Sequence, residues 1–150
     1  LILAAVVDAQ TTPSVCNRQA SRVIAVRDPV LVDQVLKLQN GNRGFGDYVT
    51  NLFVVYYDLS SFVSVGERNQ GWIDSGMFSM NLVLALHSRG LGTCCLNWSV
   101  DSTRDRELVR LLKLPESSRI VMLISCGNLK ETFRVAGSAK LPLNEVLTVV

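Results

Sequence analysis

The sequence has 150 residues, a net charge of +2, 48% hydrophobic residues and 19% charged residues. These values exclude a disordered chain, because the apolar content is high and the charges are balanced. They allow one domain over residues 1–150 with a buried core. Lys and Arg form no cluster, which argues against a nucleic-acid-binding protein. A single His, His87, and the lack of a C-x-x-C motif argue against a metal site.

The mean hydropathy of +0.26 is high enough to raise the question of a membrane span. The least charged stretch, residues 75–88, is interrupted by Ser79, Asn81 and His87. It is shorter than the roughly 20 apolar residues that a span needs. We therefore expect no membrane span and attribute the excess hydrophobicity to a large buried subunit interface.

The chain begins with the apolar segment 1–7 and without Met. No basic region precedes this segment, so it is not a secretory signal, and it is typical of the end of an amphipathic helix. We expect that an N-terminal segment is missing; a processed natural N-terminus is the alternative. Without a secretion signal, we expect a cytoplasmic protein with reduced thiols. Cys94, Cys95 and Cys126 lie in apolar runs, where a thiol is usually buried.

Four apolar runs, rich in β-branched and aromatic residues, predict β-strands. They are residues 22–26, 52–57, 93–96 and 120–126. Because the runs are almost continuously apolar, they predict a sheet that is covered on both faces.

Helices are predicted between these strands. Asp28-Pro29 is typical of a helix start, and a second helix is predicted around Ser102, with Asp105 as its partner in an approximate capping box. The longest candidate, residues 70–89, is apolar nearly all round, so we expect it to be buried, either centrally or between subunits. Together the elements predict one α+β domain: a mixed central sheet of about four to five strands, flanked by helices.

No motif for nucleophilic or phosphate-loop chemistry is present. A G-x-S-x-G elbow is missing, and the Gly-rich segment 41–46 precedes a strand, so it does not fit the dinucleotide fingerprint. Two polar clusters remain. The first is residues 12–19, whose hydroxyl and amide groups suit sugar-like or ring-amide ligands, although composition alone favours a plain helix-to-strand loop. The second combines residues 40–43 with residues 66–70.

Pro13-Ser14 is followed by Asn17, Gln19 and a strand, and later by a long apolar helix that ends in Gly90-Leu91-Gly92. This order resembles the nitroreductase family of flavin enzymes, and residues 138–143 resemble the family's basic C-terminal motif. The spacing holds over essentially all 150 residues. The resemblance implies an FMN-dependent homodimer with the nitroreductase-like fold, in which the long helix lies at the dimer interface and both subunits hold each flavin.

The resemblance also implies which residues bind the cofactor. Ser14, Val15 and Asn17 would contact the ribityl-phosphate side, and Gln19 would support their loop. The remaining contacts would be Asn42 near the isoalloxazine edge, Trp98 and Ser99 near the reactive nitrogen, and Lys140 at the phosphate, unless Lys140 is a solvated surface residue. No side chain is assigned a catalytic role, because in this class the flavin carries the chemistry. The implied reaction is ping-pong. NADH or NADPH reduces FMN and leaves, and a small organic acceptor such as a nitroaromatic or a quinone then binds at the same face of the flavin.

The chain departs from the family pattern at three places. The Arg-rich start that grips the phosphate would precede Leu1, Ala20-Ser21 replaces Pro-Trp, and Gly137 stands where basic residues are common. We therefore expect weaker FMN binding than in a longer parent. A non-catalytic flavin-binding or interaction module is the alternative function. Residues 67–69 either shape the substrate mouth or form a solvated helix start.

Overall fold

A computed structural model describes residues 1–135 and 137–150. The strands are β1 (Ser21–Val26), β2 (Asn51–Asp58), β3 (Leu91–Asn97) and β4 (Ser118–Asn128). The helices are α1 (Ile2–Ala9), α2 (Pro29–Leu38), α3 (Gln70–His87), α4 (Ser102–Leu111) and α5 (Leu143–Val146). Each strand and helix predicted from the sequence has a counterpart in the structure. The strands extend one or two residues beyond their apolar runs, except at Val26, where β1 ends with its run, and α3 ends at His87 instead of Arg89.

The four strands form one sheet in the order β1-β2-β4-β3. The α+β class and the strand number agree with expectation, but all three pairings among the described residues are antiparallel rather than mixed. Val26 pairs with Leu52, so β2 begins beside the end of β1. The reason is the connection: α2 has ten residues and is about 15 Å long, and the loop after it brings the chain back to the end of the sheet from which α2 started.

Both faces of the sheet are covered, as the continuous apolar runs predicted. Along β2, Phe53 and Val55 pack on one face in a cluster with α1 and α3. Leu52 and Val54 pack on the other face in a cluster with α2 and α4. All four side chains are fully buried, and burial of a side chain of this size contributes about 1.5–3 kcal/mol.

Acidic side chains cap two of the helices. Asp28 accepts a hydrogen bond from the Leu31 amide at 2.8 Å, as predicted for the start of α2. For α4 the predicted capping box is wrong: Asp101 is the cap and accepts from the amides of Thr103 and Arg104. These bonds lower the pKa of the Asp101 carboxyl. Asp105 instead accepts a hydrogen bond from the indole N–H of Trp98.

Helix α3 buries only one side in this chain. Phe78, Leu82 and Leu86 face the core, whereas four apolar side chains on the opposite side are 40–53% exposed. These four, which we call the α3 stripe, are Ile73, Met77, Met80 and Leu84. The expectation that α3 is buried centrally is therefore wrong, and its placement between subunits stays a prediction. The stripe has the 4-3-4 spacing of a helix–helix seam.

Three of the four cysteines are exposed, contrary to the expectation of burial for two of them. Only Cys126 is buried, and burial raises the pKa of its thiol. Cys94 and Cys95 are exposed because β3 is an edge strand of the sheet. Desolvation still raises the pKa of Cys95, and the neighbouring Cys94 adds to this shift.

Within the described parts of the chain, no helix is both long enough and apolar enough to cross a bilayer.

Candidate functional site

The predicted polar cluster forms a loop between α1 and β1, which we call the polar loop (residues 12–19). Its first residue closes the end of α1: the Thr12 hydroxyl donates to the Ala9 carbonyl at 2.7 Å and accepts from the Asn81 amide at 2.7 Å. The backbone N–H of its last residue, Gln19, donates to Ser14 Oγ at 2.9 Å. The loop is therefore closed on itself and attached to both α1 and α3.

Three residues of the polar loop have left-handed backbone conformations. Cys16, Asn17 and Gln19 have φ values of 48°, 52° and 49°. This conformation costs roughly 1–2 kcal/mol for a residue with a Cβ, and less for Asn. Three such residues in four positions form a strained loop, which persists only if the surrounding structure holds it.

One anchor of the loop is Asp74 in α3. Its side chain accepts from the Val15 amide at 3.1 Å and from Gln70 Nε2 at 2.8 Å. Asp74 is only 2% exposed. Sequence reasoning missed this residue, although a lone carboxylate inside an otherwise apolar helix is a signal that could have found it.

A second anchor is the ion pair between Arg18 and Glu67. Arg18 Nη2 lies 2.7 Å from Glu67 Oε1, and Nη1 donates to the Ser61 carbonyl at 2.7 Å. Glu67 also accepts from the amides of Val63 and Ser64. The bond from Val63 is the largest cause of its lowered pKa, and Arg18 adds to it. Glu67 is thus tied to the polar loop rather than simply solvated, while Asn69 occupies the N-terminal cap position of α3.

The polar loop borders a cleft of about 260 Å³ between α1, β1 and α3. Two predicted cofactor-binding residues, Ser14 and Gln19, line this cleft. Arg22 also lines it, and its Nη1 donates to the Gln19 carbonyl. The walls are completed by Val6, Gln10, Thr12, Pro13, Ser21, Val23, Asp74 and Phe78. The cleft therefore combines hydroxyl and amide groups, one guanidinium and an apolar surface.

Three other predicted residues, Asn42, Trp98 and Ser99, lie at the opposite edge of the sheet. Gln39 Nε2 donates to the Asn97 carbonyl at 3.1 Å, and Asn42 Nδ2 donates to Gln39 Oε1 at 3.1 Å. The structure thus brings Asn42 to the end of β3, next to Trp98 and Ser99. Both N–H groups of Asn42 are engaged, since Nδ2 also donates to the Leu36 carbonyl. Only its oxygen is left for a ligand.

Trp98 and Lys140 differ in how far the chain holds them. The Trp98 ring packs in the core cluster of α2 and α4, and its Nε1 donates to Asp105 at 2.9 Å. Ser99 beside it is exposed. Lys140 is exposed in the segment that follows β4. The side chain of Trp98 therefore has a structural partner, and a ligand there would meet mainly backbone.

Two half-sites result from this arrangement. The polar loop lies beside the first residue of β1. The second group, which consists of Asn42, Trp98 and Ser99, lies beside the last residue of β3, at the same end of the sheet. β1 and β3 are the two edge strands, so three strand spacings, about 14 Å in total, separate them. Within the described residues, no group of three His, Cys, Asp or Glu side chains is placed to hold a metal ion.

Comparison with known proteins agrees with this architecture. The chain is similar in fold to a nitroreductase family protein from Streptococcus pneumoniae, with a TM-score of 0.81 and 20% identity over 98% of this chain and 87% of that one. It is also similar to a candidate NADH dehydrogenase/NAD(P)H nitroreductase from Parabacteroides distasonis, with a TM-score of 0.78 and 21% identity over 93% and 79% of the two chains. A candidate NAD(P)H:FMN oxidoreductase from Staphylococcus epidermidis has a TM-score of 0.83 and 16% identity over 97% and 83%.

No curated protein matches the chain in sequence. The model of the nitroreductase family, in contrast, matches residues 1–128, which include all four strands and the first four helices. The chain therefore belongs to the nitroreductase family, whose chemistry is that of oxidoreductases.

Proposed function

We propose that the chain is an FMN-dependent oxidoreductase that takes hydride from NADH or NADPH and reduces a small organic acceptor by a ping-pong mechanism. The observation that carries the proposal is the chemistry of the cleft beside the polar loop. FMN has a dianionic phosphate, a chain of hydroxyls and a flat apolar ring. The cleft offers a guanidinium from Arg22, polar groups from Ser14 and Gln19, and an apolar wall that includes Phe78.

The size of the cleft supports a site that one chain does not complete. Ligand pockets usually measure about 300–1,000 Å³, and the cleft measures about 260 Å³. The second group of residues, around Asn42 and Ser99, lies at the far edge of the sheet. A second copy of the chain would place this group opposite the polar loop of the first. We therefore propose a homodimer in which each cofactor is held by the polar loop of one copy and by the other group of its partner.

The α3 stripe supports the same assembly. Its four side chains form an exposed apolar surface along most of an 18-residue helix, and apolar side chains in a 4-3-4 spacing pack well against a second helix. Burial of this surface between two copies would also account for the high mean hydropathy. We place the protein in the cytoplasm, because all four cysteines are free thiols and such thiols persist in a reducing compartment.

Bound FMN would supply the redox chemistry, and the residues of the chain would bind it, orient it and exclude water from it. The hydroxyl of Ser14 and the amide of Gln19 suit the ribityl chain, and Arg22 suits the phosphate. Asn42 would contribute an acceptor oxygen only. Lys140 remains a proposed second cation for the phosphate, and Val15, Asn17, Trp98 and Ser99 remain proposed contacts.

Two measurements on the purified chain test this function. First, FMN is titrated against the protein and the quenching of flavin fluorescence is followed; saturable binding is expected. Second, the complex is mixed with NADH or NADPH without oxygen, and loss of the flavin absorbance near its visible maximum is expected. Binding without bleaching would favour the non-catalytic flavin-binding module. A chain that does not bind FMN at all would refute both the oxidoreductase and the flavin-binding module.

A further inference from the structure

The buried carboxylate of Asp74 is the least expected group at the candidate site. It lines the cleft, yet it lies in the second turn of α3 with 2% exposure. None of the ion pairs that the described residues form includes it. Its negative charge is instead met by two N–H donors, the Val15 amide and the side chain of Gln70. Burying a charge is costly, and the hydrogen bonds from these two donors offset part of that cost.

The hydrogen bond between Asp74 and Val15 lies at the start of the strained turn in the polar loop. Val15 begins the short turn Val15–Asn17, and the next two residues have left-handed φ values. The Ser14–Gln19 bond closes the loop on itself but does not attach it to the sheet or to a helix. The Val15–Asp74 bond attaches the strained turn itself to α3, across 59 positions of sequence. The other two attachments, through Thr12 and Arg18, lie on either side of that turn. An apolar residue at position 74 would be easier to bury but could not accept from this amide.

We propose that Asp74 is a positioning residue, which holds the polar loop in the conformation that binds FMN. It acts through the backbone of Val15 and touches no reacting atom. This inference rests on the proposed function where it concerns FMN, while the effect on the loop itself does not depend on any cofactor. The required property is a hydrogen-bond acceptor at position 74 rather than a charge.

The test compares Asp74→Ala, Asp74→Asn and the matched control Asp33→Ala, which removes an exposed carboxylate from α2. The conformation of the loop is measured without FMN, by the rate at which a thiol reagent modifies the exposed Cys16. The tryptic peptide 1–18 separates this thiol from the other cysteines. FMN affinity is measured separately, under conditions in which each variant is fully folded by circular dichroism.

For Asp74→Ala we expect faster modification of Cys16 and FMN affinity lowered by about 10- to 100-fold, as for a buried hydrogen bond whose N–H donor is left without a partner. Asp74→Asn keeps an oxygen for the Val15 amide, and Gln70 can turn its own oxygen toward the new amide group. We therefore expect both properties of Asp74→Asn to stay within about threefold of the wild type. Asp33→Ala should match the wild type.

Two results would overturn the proposal. One is Asp74→Ala with unchanged Cys16 reactivity and FMN affinity. The other is Asp74→Asn impaired as strongly as Asp74→Ala, since charge rather than hydrogen bonding would then be the property that matters. If the wild type itself does not bind FMN, the proposed function fails, but the Cys16 rates still decide whether Asp74 holds the loop.

A further variant keeps the test decisive if Asp74→Ala does not fold. Val15→Pro removes the donor instead of the acceptor, and Pro is tolerated at the first position of a helical turn. Ser14 before it has φ −136° and ψ 155°, the extended conformation that a residue before Pro prefers. In Val15→Pro we expect the thiol reagent to modify Cys16 faster than in the wild type. An unchanged rate would contradict the role of the Val15–Asp74 bond.

Discussion

Replacement of Gly71 by Ala tests the packing that sets α3 beneath the candidate site. Gly71 is buried in the first turn of α3, against the ring of Tyr57. A Cβ at this position would lie 2.5 Å from Tyr57 Cδ2 and 2.7 Å from Cζ. The ring has little room to move, because Tyr57 is 3% exposed and packs edge-to-face on Phe62 and Trp72, with centroids 5.9 and 5.4 Å away.

The magnitude follows from two opposing terms. Forcing an extra carbon into a packed site costs about 1–3 kcal/mol, whereas exchanging Gly for Ala inside a helix gains about 1 kcal/mol. Gly76 in the same helix is the matched control, since a Cβ there would meet no atom within 4 Å. The difference between the two variants removes the helix term and leaves the steric one, about 2 kcal/mol. For a chain of this length, that difference corresponds to about 4–8 °C in melting temperature.

The assay is thermal unfolding of Gly71→Ala and Gly76→Ala, followed by circular dichroism at low protein concentration. We expect Gly76→Ala to melt at or above the wild-type temperature and Gly71→Ala to melt below it. Gly71→Ala should also weaken FMN binding, because the displaced turn carries Gln70 and leads to Asp74. Equal melting temperatures for the two variants would refute the close contact between α3 and Tyr57.

Three further predictions concern the dimer, the anchor and the cleft. Met80→Lys places a charge in the α3 stripe and should convert a dimer to a monomer in sedimentation velocity, whereas the equally charged Val30→Lys on the exposed side of α2 should not; a dimer that survives Met80→Lys contradicts the proposed interface. The pKa of Glu67 is lowered in the folded chain by its hydrogen bonds, first from Val63, so its contribution to stability is present above the ordinary Glu pKa of about 4.3 and is lost as the pH falls through the lowered value. Acid unfolding of Glu67→Gln should lack this component, and identical pH profiles would rule it out. Arg22→Gln should weaken FMN binding by about tenfold or more, whereas the control Arg27→Gln should not. An equal loss of affinity in both variants would contradict a specific role of Arg22.

Much of the candidate site was accessible from the sequence because its residues are close together along the chain. The polar cluster of residues 12–19 stood out by its hydroxyl and amide groups, and the family resemblance implied a cofactor role for Ser14 and Gln19. Both residues line the cleft, and their contact with a cofactor stays a prediction. Asp74 and Arg22 were missed. Which way the Asp74 side chain points depends on how α3 rotates against the sheet, and that rotation is set by contacts such as Gly71 on Tyr57 rather than by neighbours in sequence.

The sequence by itself determined where the strands and helices lie, and that both faces of the sheet are covered. These features depend on local propensity and on the periodicity of apolar residues, which act over a few positions. Only the tertiary structure decided the antiparallel order, in which β4 pairs with both β2 and β3. The tertiary structure also decided the left-handed loop held by Asp74 and the separation of the predicted site residues into two groups. Each of these features depends on contacts between residues far apart in the chain, and the free energy of such contacts cannot be predicted from a short stretch of sequence.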